Sequence, residues 1–249
     1  MMAYDGTVPV PSLAMIMCFV NVATQQKHWN VSFHYRVGDS ILPRARNAEA
    51  AKFVEDKDAT DLIMVDADTL CEPNDLVRLV ERDADIVGGA YRTRNEPIGW
   101  PSVRWLHQDI APRDDGLIEA EAVGTGLIKI SKRAMQKLWD AEPLHYRDPT
   151  TIGGQARGVF WFEVKDGHLW GEDIVFCRKW RALGGQVFTD PTIQTSHIGA
   201  HPFIGKLEDW LKDQPPLINV DDVVGQKTTV RNLYSQMATI AQDTKSEAA

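Results

Sequence analysis

The sequence contains little cysteine, with three residues at positions 18, 71 and 177 of a 249-residue chain. Isolated cysteines in odd number form neither a disulfide framework nor a zinc-ligand pattern, and they fit a reducing cytoplasm. The longest apolar run, residues 13–23, is interrupted by Asn21 and is too short to span a bilayer. The first residues lack the charged start and cleavage site of a secretory signal. We therefore expect a soluble, cytoplasmic protein with no membrane span.

Positive charge is also scarce, because 27 Lys and Arg residues oppose 35 Asp and Glu residues, giving a formal net charge of −8. Contacts with phosphates supply most of the affinity for nucleic acids, so an acidic chain is a poor default binder of them. The composition is otherwise that of an ordinary globular protein, with 43% hydrophobic and 25% charged residues. The length predicts one substantial domain, alone or with a tail.

Apolar runs alternate with helical patterns over the first ninety residues. The predicted elements there are strands at residues 13–20, 31–37, 62–65 and 86–87, and helices that start at Pro43 and Pro73. This order is typical of a parallel α/β sheet. Further on we predict a loop at residues 92–116, a helix capped by Ser131, and a strand at 159–164 with a hairpin turn at Asp166-Gly167. A helix is predicted from Glu172 to Leu183. Near the end of the sequence we predict an amphipathic helix at 223–240 and disorder from Gln242.

Two aspartates directly follow a buried strand. Asp66 and Asp68 come after the apolar residues 62–65. In an open α/β sheet, ligands bind beyond the carboxyl ends of the strands, so both carboxylates are expected at such an edge. Mg²⁺ and Mn²⁺ prefer oxygen ligands that are shared with substrate phosphates. The pair predicts a divalent-cation site, although an ordinary polar turn has the same composition.

Other polar residues lie next to predicted elements. Glu172 and Asp173 open a helix, where they either interact with its dipole or orient a hydroxyl nucleophile. His197 follows a strand and is either a structural residue or a metal ligand. Arg46 and Asn47, on the first turns of a helix, either bind an anion or form a solvated face.

Two loops add to this set. Gly124-Thr125-Gly126, between apolar strands, either makes a tight turn or lets the backbone approach a sugar or phosphate. The loop at residues 92–116 mixes cations and aromatic rings, as sugar-binding and base-binding surfaces do; an ordinary surface loop is the alternative. These loop residues are Arg92, Arg94, Trp100, Arg104 and Trp105.

The order of these motifs resembles the GT-A fold glycosyltransferases, especially the small family-2-like enzymes of bacteria and phages. The resemblance covers residues 12–200. Its blocks are Leu42-Pro43-Arg44-Ala45-Arg46-Asn47, Leu62-Ile63-Met64-Val65-Asp66-Ala67-Asp68, Asp85-Ile86-Val87-Gly88-Gly89-Ala90-Tyr91, Ala122-Val123-Gly124-Thr125-Gly126-Leu127-Ile128, Gly171-Glu172-Asp173-Ile174-Val175-Phe176-Cys177 and Ser196-His197-Ile198-Gly199.

The resemblance implies an α/β, GT-A (Rossmann-like) domain at residues 1–202, with a mostly parallel sheet flanked by helices and a smaller antiparallel region on the acceptor side. Residues 203–249 would form a helical C-terminal tail, partly disordered. The implied activity is transfer of a sugar, as in hexosyltransferases, from a nucleotide-diphosphate sugar to an acceptor hydroxyl. UDP-sugars are the expected donors, and a bacterial or phage-infected cell is the expected setting.

The resemblance also implies residue roles. Mn²⁺ or Mg²⁺ would be bound by Asp66, Asp68 and His197. Asp173, together with Glu172, would face the acceptor and act as the base. The nucleotide-sugar would be lined by Arg46, Asn47, Asp66, Gly124, Thr125 and Gly126.

Two other functions share part of the pattern. The run Asp66-Ala67-Asp68-Thr69-Leu70 also matches the start of haloacid-dehalogenase phosphatases, in which Asp66 would be a covalent nucleophile and Asp221-Asp222 the later acidic pair. That motif normally follows the first strand of its domain, whereas two strands are predicted before it here. A non-catalytic nucleotide-sugar-binding protein would keep the same fold. The acceptor (a modified DNA base, a glycan or a protein), the stereochemical outcome, the choice between Mn²⁺ and Mg²⁺, and the oligomeric state stay open.

Overall fold

A computed structural model of the protein describes residues 1–3, 7–94, 99–106, 110–151, 153–199 and 202–212. The helices are α1 (Val10–Gln26), α2 (Leu42–Glu55), α3 (Pro73–Glu81), α4 (Lys132–Ala141), α5 (Glu172–Ala182) and α6 (Leu207–Leu211). The strands are β1 (Met2–Ala3), β2 (Arg36–Val37), β3 (Asp61–Val65), β4 (Thr69–Cys71), β5 (Ile86–Gly89), β6 (Val103–Trp105), β7 (Ile118–Val123), β8 (Leu127–Ser131), β9 (His145–Arg147), β10 (Gln155–Arg157), β11 (Glu163–Lys165), β12 (His168–Trp170), β13 (Val187–Asp190), β14 (Gln194–Ile198) and β15 (Pro202–Lys206).

The central sheet has six strands in the order β3-β8-β5-β13-β7-β6. Only β5 and β13 pair in parallel, and the other four neighbouring pairs within this sheet are antiparallel. The prediction of a mostly parallel sheet is therefore wrong for this sheet. Strands β3 and β5, which α3 connects, do run in the same direction, as a strand–helix–strand unit requires. However, β8 lies between them and runs opposite to both.

Helices cover both faces of this sheet. Because alternate residues of a strand point to opposite faces, neighbouring side chains enter different cores. Ile86 and Val187 pack in a core formed with α2, α4 and α5, whereas Val87 and Phe188 pack in a second core formed with α1 and α3. The expected α/β class is confirmed as three layers, with the sheet between two helical layers.

The four predicted helices from α2 to α5 are confirmed. Pro43 and Pro73 lie in the first turns of α2 and α3, where the N–H group that proline lacks would have no helical acceptor. Ser131 caps α4, because its hydroxyl accepts the N–H of Ala134 at 3.1 Å. Helix α5 begins at Glu172, as predicted.

The strand predicted at residues 13–20 is wrong, because α1 covers the whole segment. Met15, Ile16, Phe19 and Ala23 are buried at helical spacing and pack in the core shared with α3. A short apolar run fits either a strand or a helix by periodicity alone, so packing decides. Of the strand predicted at 31–37, only β2 forms, and it pairs in parallel with β1. Among the described residues, the two short strands β1 and β2 therefore precede β3, and of these only β2 lies within a predicted strand.

Outside the central sheet, two pairs of short strands are antiparallel, β9 with β10 and β11 with β12. Asp166 and Gly167 have φ values of 52° and 77°, the two positive values that a tight two-residue hairpin turn needs. The predicted turn is therefore confirmed, although its first strand is β11 and not residues 159–164.

The end of the described chain packs on the domain. Strand β15 pairs with β14 in a three-stranded sheet that also includes β4, and Leu207 of α6 is fully buried. The described part of the segment assigned to the tail therefore contributes to the domain. The helix predicted at 223–240 and the predicted disorder from Gln242 lie outside the described residues. Among the helices that the structure describes, none is long and apolar enough to cross a membrane.

Candidate active site

The Asp66-Ala67-Asp68 segment is a turn between β3 and β4 that the surrounding elements hold in place. The N–H of Asp66 donates to the carbonyl of Gly126 at 2.9 Å. The buried hydroxyl of Ser12, in α1, donates to the carbonyl of Ala67. The two aspartates directly follow the carboxyl end of β3, and they therefore lie at the predicted edge of the central sheet.

Pairing between β4 and β14 brings His197 to this turn. In the antiparallel register, His197 is opposite Thr69, and the N–H of Ile198 donates to the carbonyl of Asp68 at 2.7 Å. The imidazole Nε2 of His197 lies 3.8 Å from Oδ2 of Asp68. Its Nδ1 lies 3.1 Å from the carbonyl oxygen of Arg92. Since a carbonyl only accepts hydrogen bonds, Nδ1 donates in this contact, and Nε2 is the ring nitrogen that faces Asp68.

Asp66 faces a different partner. Nη2 of Arg46, in α2, lies 3.3 Å from both carboxylate oxygens of Asp66, and Nη1 forms an ion pair with Glu172. The Arg46 side chain is only 3% exposed. This buried cation therefore joins α2, the aspartate turn and the start of α5.

The predicted three-residue metal site is only partly assembled. Among the described residues, no group of three His, Cys, Asp or Glu side chains is arranged to hold a metal ion. Asp68 and His197 are adjacent, whereas Asp66 is engaged by Arg46. Asp68 and His197 fit a divalent cation in donor chemistry, since one offers a carboxylate oxygen and the other a neutral ring nitrogen.

Glu172 and Asp173 are carboxylates in a poorly hydrated setting. Burial raises the pKa of Asp173 above its ordinary value. Burial also raises the pKa of Glu172, and this effect exceeds the opposing influence of Arg46. An oxygen of Asp173 accepts the N–H of Ile174 at 2.7 Å. A Cβ atom at position 171 would lie 2.9 Å from that oxygen, so Gly171 makes room for the carboxylate. A carboxylate with a raised pKa is a better proton acceptor.

Tyr91, to which the sequence analysis gave no role, fills the space beside Gly124 and Gly126. A Cβ atom at Gly126 would lie 2.9 Å from two ring carbons of Tyr91, and one at Gly124 would overlap the tyrosine hydroxyl. The tyrosine ring also contacts His197 edge-on, with the ring centroids 5.3 Å apart. Burial, with the negative charges of Asp66 and Asp173, raises the pKa of the phenol. The two glycines therefore admit a half-buried tyrosine, and Thr125 between them is buried.

Asn47, which the resemblance implies would line the nucleotide-sugar, makes hydrogen bonds within the protein. Asn47 is fully buried. Its amide nitrogen donates to the carbonyl of Phe160, and its amide oxygen accepts the N–H of the same residue, both at 2.8 Å. These two bonds satisfy a backbone unit that helices and sheets leave unpaired. Asn47 therefore has a structural role.

In the segment at residues 92–116, the described parts (92–94, 99–106 and 110–116) are more packed than a ligand-binding surface. Trp100 and Trp105 are 7% and 8% exposed, and Trp105 belongs to β6. Arg92 and Arg104 are also buried. Arg94 differs, because its side chain is 40% exposed and it forms an ion pair with Asp68. The sequence showed that Arg94 lies among alternating cations and aromatic residues, but it did not show that Asp68 is its partner.

No protein-family model and no curated protein matches this sequence. Among solved structures, the chain is similar to A197 from STIV, with a TM-score of 0.50 and 14% sequence identity. The superposition covers 83% of this chain and 88% of that chain. At this level of identity the similarity shows the fold alone, because one fold hosts many activities.

Proposed function

We propose that the chain is a metal-dependent glycosyltransferase of the GT-A type that moves a sugar from a UDP-sugar to an acceptor hydroxyl. The observation that carries the proposal is the meeting of Asp68 and His197 beside Tyr91, whose phenol is influenced by the charge of the half-buried Asp173. In this proposal Asp68 and His197 would bind the cation and Asp173 would be the base, at the edge of an α/β sheet where such folds bind ligands.

Asp68 and His197 would hold the cation, through the carboxylate and the lone pair on Nε2. When bound, Mn²⁺ or Mg²⁺ would stabilise the negative charge that develops on the departing diphosphate. Two protein ligands suit these ions, which usually keep several positions for phosphate oxygens and water. Asp66 is assigned a positioning role, because Arg46 lies within 3.3 Å of both its oxygens. That pairing also disfavours the alternative in which Asp66 is a phosphatase nucleophile.

Asp173 would take the proton of the acceptor hydroxyl. Its burial favours the protonated form, so the carboxylate accepts a proton more readily than an exposed aspartate. Glu172 would hold α5 in register with the aspartate turn through its ion pair with Arg46. The reaction would then require a deprotonated Asp173 and an intact buried ion cluster.

The test is a thermal-shift screen of nucleotide-sugars with and without Mn²⁺, followed by assays of UDP-sugar and p-nitrophenyl phosphate hydrolysis. We expect stabilisation by UDP-sugars that depends on Mn²⁺ and is lost in Asp68→Ala. The exposed Asp114→Ala variant is the matched control and should behave as the wild type. Phosphatase turnover without nucleotide-sugar binding would refute the proposal. Mass spectrometry with hydroxymethylated DNA, glycans and proteins would then identify the acceptor.

A further inference from the structure

A cation from the chain itself lies between the two proposed metal ligands. Nη2 of Arg94 forms an ion pair with Oδ2 of Asp68 and lies 2.9 Å from Nε2 of His197. One nitrogen atom of the guanidinium therefore contacts both groups. The Asp68 carboxylate and the His197 imidazole are therefore arranged around the positive charge of Arg94.

The same electron pairs cannot serve the guanidinium and a metal ion at once. Nδ1 of His197 is committed to the carbonyl of Arg92 at 3.1 Å, so Nε2 is the nitrogen that accepts from Arg94. A metal ion would need that lone pair and the same carboxylate oxygen of Asp68. Occupation by Arg94 and occupation by a metal ion therefore exclude each other.

Arg94 is also able to leave. Its side chain is 40% exposed, whereas that of Arg46 is 3% exposed. An exposed ion pair is weak because water solvates both partners once they separate. A released guanidinium offers a planar fork of donors, which matches the oxygens of a phosphate group. Arg94 would remain close to the diphosphate, because the cation that displaces it binds at Asp68 and His197.

We propose that Arg94 is an exchangeable cation, which occupies the site until the metal and nucleotide arrive and then binds the diphosphate of the donor. This inference rests on the proposed function, because it takes Asp68 and His197 as the metal ligands. It assigns to Arg94 two opposite effects. The residue weakens binding of the metal alone, and it strengthens binding of the nucleotide to the metal-loaded protein.

The experiment measures Mn²⁺ binding by electron paramagnetic resonance, without nucleotide, for the full chain and its Arg94→Gln variant. We expect the variant to bind Mn²⁺ about 3–10-fold more tightly, because a competitor that fills the site most of the time lowers the apparent affinity in proportion. At saturating Mn²⁺, the same variant should bind UDP about tenfold more weakly through loss of a charge-assisted contact. Arg113→Gln is the matched control, since Arg113 is 43% exposed and pairs with Asp115, and it should change neither affinity.

The outcomes separate this inference from the proposed function. If Asp68→Asn abolishes Mn²⁺ binding but Arg94→Gln leaves it unchanged, the metal site stands and the exchange role of Arg94 is refuted. If Arg94→Gln tightens Mn²⁺ binding but leaves UDP binding unchanged, the diphosphate role is refuted. If Mn²⁺ does not bind, or binds equally well in Asp68→Asn and His197→Gln, the proposed metal site itself fails. Circular dichroism and thermal unfolding of each variant show that the fold is retained.

Discussion

Removal of the buried guanidinium of Arg46 should destabilise the protein strongly. In Arg46→Met, the carboxylates of Asp66 and Glu172 would lose a shared cation, and the replacement keeps much of the apolar stem. The side chains of Asp66 and Glu172 are only 13% and 10% exposed, so water cannot fully replace the lost partner. Breaking a buried ion pair from one side costs about 3–5 kcal/mol. We expect a loss of this size in the free energy of unfolding at neutral pH.

The matched control is Arg44→Met, on the same helix. Arg44 is 48% exposed and pairs with Asp39 at 2.8 Å, so its loss should cost about 0–1 kcal/mol. Urea unfolding followed by circular dichroism would measure both variants, with the slope m checked for change. Acid should reduce the cost of Arg46→Met, because protonation of Glu172, whose pKa is already raised by burial, removes an uncompensated charge. Equal losses in the two variants, or a loss in Arg46→Met that does not change with pH, would refute the reasoning.

Three further predictions concern buried groups around the site. Asn47→Ala should cost about 2 kcal/mol or more in urea unfolding, because it leaves a buried backbone N–H and C=O unpaired; a loss below 0.5 kcal/mol would contradict this. Gly124→Ala and Gly126→Ala should each cost about 1–3 kcal/mol by overpacking against Tyr91. Tyr91→Phe should restore the stability of Gly124→Ala only, because the Tyr91 hydroxyl is the nearest atom to a Cβ at position 124. Equal recovery of stability in both glycine variants would contradict the packing described for Tyr91. Burial raises the pKa of Asp173 in the folded state. Wild-type stability should therefore fall as the pH rises from the ordinary pKa of an aspartate through the raised pKa of Asp173. The Asp173→Asn variant should be more stable than the wild type above this pH range and equally stable below it. Activity should disappear as the pH falls through the same raised pKa, because Asp173 then becomes protonated. If the difference in thermal unfolding between Asp173→Asn and the wild type does not change with pH, the raised pKa of Asp173 is contradicted.

Local chemistry in the sequence was sufficient to predict most helices. Pro43 and Pro73 mark helix starts because they lack an N–H that the first turn does not use. Ser131 marks a third start through its capping hydroxyl. Strand β3 and the aspartates after it were likewise visible, because a short apolar run followed by Asp66 changes polarity abruptly. Each of these features depends on residues that are close to each other along the chain, so the local sequence is enough to specify it.

Contacts between distant segments decided the rest. The apolar segment at residues 13–20 became α1 because its side chains pack on the sheet beside α3. The insertion of β8 between β3 and β5 added two antiparallel pairs to the sheet, although the local order of α2, β3, α3 and β5 was predicted.

The sequence by itself determined which residues could carry chemistry: the aspartates of the β3–β4 turn, the Glu172-Asp173 pair and His197. Only the tertiary structure decided how they are grouped. The pairing of β4 with β14 joins His197 to Asp68, and burial commits Asp66 to Arg46. The physical reason is that hydrogen-bond register and desolvation depend on what lies across space from a residue, and its neighbours along the chain do not specify that.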